Sequence, residues 1–190
     1  MKLIAIDVEL NKPSRKIIEI GAVIFQPTDP GIIAAFQTYV NPEEPIDPFI
    51  TSLTGIRDDN VINAPNIGAA AELLSEFKTK YQASKVPVVW GAGRTNDVAM
   101  IYDQAGLHLD RTFKNSIIDV KGIYRMLANV EHSSYRDRQG LLNALYNMGL
   151  GWDPTYGAPH RATADAYHTA RIYQVLSGML KGANQIRTLT

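Results

Sequence analysis

A short apolar run near the start of the chain, Leu3-Ile4-Ala5-Ile6-Asp7-Val8-Glu9, limits what the remainder can be. Its length and β-branched content read as a buried strand, and two carboxylates close it at i and i+2. Side chains on a strand alternate faces, so Asp7 and Glu9 project together while Ile6 and Val8 project the opposite way. Two acids at the end of a buried strand repel and lose hydration, which is costly unless something positive lies between them. A divalent cation is the simplest such partner, because hard cations take carboxylate oxygens. A D-x-E pair alone is more often a strand running out into solvent, so the later acids decide between the two.

The 190 residues are enough for a single domain, 1–190, with a sizeable core. Lys plus Arg and Asp plus Glu both number 19, giving a net charge of zero. Proteins that coat nucleic acid by charge alone are usually basic, so that class is disfavoured, whereas an enzyme gripping one chain end is not. Cysteine is absent, which removes disulfide frameworks and Cys-ligated zinc and fits a reducing compartment. The N-terminal apolar run is short and broken by Asp7. Neither a signal peptide nor a membrane span is expected, and a cytoplasmic location is the default.

Taken in order, the first strand ends in a turn at Asn11–Arg15, and a second strand covers Ile17–Phe25. A Pro/Gly/Asp-rich turn at Gln26–Gly31 leads to a third strand near Ile33–Val40. Connections this short join antiparallel neighbours. Asn41 to Pro65 carries four prolines and reads as an ordered, functional loop with a helical turn around Phe49–Thr54. The period then changes: Ile67, Ala70, Ala71, Leu74, Phe77 and Tyr81 share a helical face, so Asn66 to about Gln82 is an amphipathic helix. Further elements are a strand at Val86–Trp90, a helix at Val98–Ala105, a short strand at Ile117-Ile118 and a helix at Val120–Ala128. Helices at about Gln139–Met148, stopped by Gly149, and Ala162–Leu180 complete the chain. Three meandering strands followed by alternating helices and strands predict an α/β mixed sheet covered by helices.

Asp97 falls where the segment Trp90-Gly91-Ala92-Gly93-Arg94-Thr95-Asn96 leaves a core strand and enters a helix, a common ligand position in α/β proteins. In the last helix, Ala162, Ala166, Thr169, Ile172, Tyr173, Leu176 and Leu180 form an apolar arc that also contains Asp165, while Arg161, His168 and Arg171 take the other side. A carboxylate on the core side of a helix is rarely buried without a partner. His160 precedes it on a Gly157-Ala158-Pro159 loop, and an imidazole, titrating near 6.5 when unperturbed, suits a general base. His108, His132 and His168 read as surface or structural residues.

Asp7, Glu9, Asp97, His160 and Asp165, in that order and on those elements, resemble the DEDDh (DnaQ-like) 3′–5′ exonucleases. Ile18-Glu19-Ile20-Gly21-Ala22-Val23, Leu53-Thr54-Gly55-Ile56, Ala64-Pro65 and His160-Arg161-Ala162-Thr163-Ala164-Asp165-Ala166 resemble the same family, so the likeness covers essentially the whole chain. Trp90-Gly91 with Gly93, where proofreading and oligoribonuclease branches commonly have His-Asn, is more similar to phage exonuclease-A-like or exoribonuclease branches. The resemblance implies a ribonuclease-H-like fold and release of nucleoside 5′-monophosphates from single-stranded DNA or RNA 3′ ends. It further implies two Mg2+ or Mn2+ ions held by Asp7, Glu9, Asp97 and Asp165, with Asp7 bridging, and His160 as the base. Substrate contacts are implied at Val8, Leu10, Thr54 and Gly55, Leu10 standing where the family usually has Thr. Two rivals accompany this reading: a two-metal hydrolase of short oligonucleotides or nucleotides, and a non-catalytic nucleic-acid-binding module on the same fold.

Overall fold

The computed structural model describes residues 1–93, 96–107, 112–114, 116–127 and 140–187, with side chains up to 180 apart from that of Leu127. Among these, five strands form one sheet in the order β3-β2-β1-β4-β5. β1 (Leu3–Leu10), β2 (Ile17–Gln26) and β3 (Asp29–Tyr39) form an antiparallel meander, and β4 (Val88–Val89) and β5 (Ile118–Asp119) add in parallel. The mixed sheet anticipated from connection lengths is therefore present. β1 and β2 lie inside the sheet and are largely buried on both faces, whereas β3 at the edge alternates between exposed and half-buried positions.

Two boundaries differ from the sequence reading. The turn expected over Gln26–Gly31 contracts to Pro27-Thr28, because Gln26 pairs with Asp29 across the hairpin. Pro30 is accommodated since β3 is an edge strand, where a missing N–H leaves no partner unsatisfied. The strand expected at Val86–Trp90 pairs only through Val88 and Val89.

The helices cover both faces. Ile4, Ile6 and Val8 of β1 pack with α3 (Ile67–Lys80) and α4 (Asp97–Ala105), through Ala70, Leu74, Val98 and Ile101. Leu3 and Ala5, on the opposite side of the same strand, pack with α5 (Val120–Leu127), α6 (Leu141–Asn147) and α7 (Ala162–Arg187). The polar stretch after β3 folds into α1 (Pro48–Thr54) and α2 (Asp58–Val61), one helix more than expected. Asp47 caps α1 by accepting from the Phe49 N–H, Pro48 occupies its first turn, and Gly55 ends it at φ 75°, a left-handed cap that glycine adopts without a Cβ penalty.

α7 needs three corrections. It continues to Arg187 instead of ending at Leu180, and Leu180 itself is exposed, outside the arc that Ile172 and Leu176 bury. His168, expected on the polar side, is fully buried, its ring 3.9 Å from that of Trp152. Burial pushes its imidazole down to about 4, so it is a neutral packing residue. No helix among the described residues is long and apolar enough to cross a membrane. His108, His132, Arg94, Thr95 and the expected helix ends Ala128 and Gln139 lie outside the described residues.

Candidate active site

The alternation of β1 that sends Leu3 and Ala5 toward α7 sends Asp7 and Glu9 the same way. Leu3 and Ala5 bury themselves in that layer, and beyond them the layer ends on the two acids. On the neighbouring strand, Gly21 stands opposite Asp7 and Glu19 opposite Glu9. Gly21 is required by close approach: a Cβ there would lie 2.1 Å from the Thr163 nitrogen and 2.2 Å from the Ala162 carbonyl carbon. The first turn of α7 thus rests directly on the β2 backbone, which delivers Asp165 to the acids of β1.

Glu9, His160 and Asp165 each offer an atom within 4.8 Å of the others. His160 is exposed and holds a left-handed backbone conformation, φ 62°, immediately before the helix. Asp165 accepts from the His160 backbone N–H, which lowers its affinity for protons, but its Oδ1 is buried with no hydrogen-bond partner among the described residues. Asp97 arrives from the other helical layer as the first residue of α4, behind Asn96, whose side chain accepts from the Ala99 N–H.

Electrostatics ties the four acids into one unit. Burial, and then the charges of Asp97, Asp165 and Glu9, hold the Asp7 carboxyl well above the usual carboxylate range. Glu9 is pushed up to about 8, first by burial and then by Asp165 and Glu19, with Arg161 opposing. Burial raises Asp97 and Asp165 to about 7 each. Carboxyls that resist ionisation this strongly need neutralising charge before all four can be anionic at once. The donor set, four carboxylates with an imidazole at their edge, suits hard divalent cations such as Mg2+ or Mn2+. The Asp165 Oδ1 is an oxygen for which no donor is supplied among the described residues. The residues fit a divalent-metal site, to which the sequence assigned Asp7, Glu9, Asp97 and Asp165.

A groove of about 580 Å3 opens beside this cluster, lined by Trp90, Lys121, Leu141, Pro159, His160 and Asp165. The four expected substrate contacts have definite local roles. The Val8 side chain is buried in the α3–α4 layer, facing away from the acids, and Leu10 is half-buried against the same layer. The Thr54 hydroxyl donates to Ile50 O at 2.9 Å and accepts from the Ile56 N–H at 3.0 Å, and Gly55 is the α1 cap.

Two residues that the sequence reading passed over stand next to the cluster. Glu19 is fully buried, and Arg161 pairs with it at 2.6 Å, across 142 positions of chain. The available signal was Glu19 itself, one acid inside the nine-residue apolar strand Ile17–Phe25 and opposite Glu9.

A family model described as exonuclease, RNase_T, matches residues 4–173. A PolC-type DNA polymerase III of Caldanaerobacter subterraneus subsp. tengcongensis is 31% identical over 175 residues, which is 90% of this chain and 11% of that protein. The DNA polymerase III subunit epsilon of Treponema pallidum is 31% identical over 151 residues, 80% of this chain and 63% of that protein. The chain therefore spans less than two thirds of either relative's length. The solved nuclease domain of 3'hExo, a DEDDh family member bound to rAMP, shares the fold with a TM-score of 0.75 at 22% identity, over 95% of this chain and 92% of that one.

Proposed function

Since the chain belongs to the RNase_T exonuclease family, we propose that it shortens single-stranded DNA or RNA from the 3′ end, releasing nucleoside 5′-monophosphates with two Mg2+ or Mn2+ ions. The observation that carries this reading is the meeting of Glu9, His160 and Asp165 within 4.8 Å, beside Asp7 and Asp97. Asp7, Glu9, Asp97 and Asp165 hold the ions. When bound, the ions balance charge on the phosphoryl oxygens and on the leaving 3′ oxygen.

His160 takes a proton from the attacking water through its imidazole. The water oxygen bonds to phosphorus, the P–O3′ bond breaks, and the freed 3′ oxygen gains a proton. The phosphate leaves on the 5′ side of the terminal nucleotide. Exposure of His160 lets the imidazole return its proton to solvent after each cycle. The groove beside it admits the strand, and Lys121 on its wall supplies a cation for a backbone phosphate. In this reading Val8 contributes through its backbone, because its side chain is in the core, while Leu10, Thr54 and Gly55 shape the place of the terminal nucleotide. Residues 1–190 act as one exonuclease domain.

The test is a 5′-labelled single strand incubated with millimolar Mg2+ or Mn2+. A ladder that shortens from the 3′ end, with 5′-monophosphates as product, is the expected result. Cuts within a circular strand, or no cleavage of DNA or RNA with either metal, would refute it. Preferential hydrolysis of dinucleotides over long strands would assign the site to short oligonucleotides instead.

A further inference from the structure

Resting on the exonuclease reading, we infer that the pair formed by buried Glu19 and half-buried Arg161 is a positioning device that sets His160 and Asp165 against the acids of β1. The Arg161 Nη2 donates to Glu19 Oε1 at 2.6 Å, and its Nε lies 3.3 and 3.2 Å from the two carboxylate oxygens. Glu19 Oε2 also accepts from the Ala162 N–H at 2.9 Å, so the same carboxylate holds the first backbone donor of α7. Gln37 donates to Glu19 Oε1 at 2.8 Å, and the Tyr39 hydroxyl accepts from Arg161 Nη2 at 2.8 Å, which fixes the fork from β3.

The geometry explains why this matters on both sides of Arg161. The residue before it, His160, sits at φ 62°, in the left-handed region that non-glycine residues adopt uncommonly. Four residues after it, the Asp165 N–H donates to Arg161 O at 2.9 Å in the first turn of the helix. A fork clamped to a strand on one side of the turn therefore dictates where both groups point.

A rival account makes the pair act through charge alone, and the two accounts differ in sign. If Glu19 and Arg161 position, Glu19→Gln and Arg161→Gln both weaken Mn2+ binding and both slow turnover. If they act through charge, removing the anion weakens Mn2+ binding and removing the cation strengthens it. Calorimetric Mn2+ titration and kcat on a saturating oligonucleotide, each normalised to folded protein, decide between them. The expected result is a loss of about tenfold or more in Mn2+ affinity and in kcat for each single variant, with partial retention in Arg161→Lys. Glu19→Gln/Arg161→Gln removes both partners, so no buried carboxylate is left without its cation, and is expected to be no worse than the poorer single variant.

Opposite signs of the Mn2+ effect overturn the inference. So do single variants with lower melting temperature but wild-type Mn2+ affinity and kcat per folded molecule. A wild-type protein that binds Mn2+ but cleaves no nucleic acid defeats the exonuclease reading alone, and the Mn2+ titrations still judge the pair.

Discussion

Replacing Gly21 by alanine should disable the site from a residue that has no chemistry of its own. The new Cβ would meet backbone only: Thr163 N at 2.1 Å, Ala162 C at 2.2 Å and Thr163 Cα at 2.5 Å, where ordinary contact begins at 3.4 Å. No side chain can rotate out of the way, so the first turn of α7 must retreat by more than about 1 Å, against the packing of a close-fitted core. That turn carries Asp165 and follows His160, and a misplacement of about 1 Å in a catalytic constellation costs on the order of 10²-fold in rate. Overpacking of this kind costs about 1–3 kcal/mol, and at this chain length each kcal/mol moves the melting temperature by roughly 2–4 °C. The assay pairs kcat on a labelled oligonucleotide with calorimetric melting. Gly178→Ala serves as control, because its Cβ would meet nothing within 4 Å and it lies in a helix, where alanine is favoured by up to about 1 kcal/mol. Gly21→Ala with kcat within threefold of wild type and an unchanged melting temperature would refute the close-approach argument.

Asp7→Asn and Asp165→Asn should each abolish hydrolysis yet raise the melting temperature in EDTA, because each removes a carboxyl whose ionisation burial opposes in the metal-free site; a fall in the metal-free melting temperature would contradict this. The folded-state values of Asp97 and Asp165 at about 7 and of Glu9 at about 8 exceed those of free carboxyls, so the metal-free fold is favoured below about pH 4 and loses stability as pH climbs to about 8. Melting scans in EDTA from pH 4.5 to 8.5 should therefore fall by several degrees, and Mn2+ should recover most at the alkaline end; a flat profile would remove the four acids as a coupled unit. His160→Ala should lose roughly 10²–10⁴ in single-turnover rate while keeping Mn2+ binding, and a variant within threefold of wild type would take His160 out of the mechanism.

The parts of the site written in local periodicity were legible without coordinates. The two-residue alternation of β1 placed Asp7 and Glu9 on one face, and the helical arc of α7 placed Asp165 inward. The same alternation sent Val8 into the α3–α4 layer, away from the acids. What escaped depended on register and tertiary contact. Glu19 meets Arg161 only because β2 pairs with β1 so that Glu19 stands opposite Glu9 while α7 crosses at Gly21. His168 looked polar on a helical wheel, yet the Trp152 ring and the Asp153 backbone enclose it. The short β4 reflects that only Val88 and Val89 of Val86–Trp90 fall in ladder register with a neighbouring strand, which no composition can tell.

The Arg161 fork joins two parts of the chain that are 142 residues apart, and this has a consequence for the order in which the protein is made. A nascent chain that has not yet emerged past residue 160 already carries Asp7, Glu9 and Glu19, but has no cation for the buried Glu19 and no His160 or Asp165 beside the other two. The apolar row of Leu3 and Ala5 then also lacks α7 to cover it. On the proposed exonuclease reading, the five site residues come together only when the last helix docks, so a polypeptide that lacks it lacks the constellation.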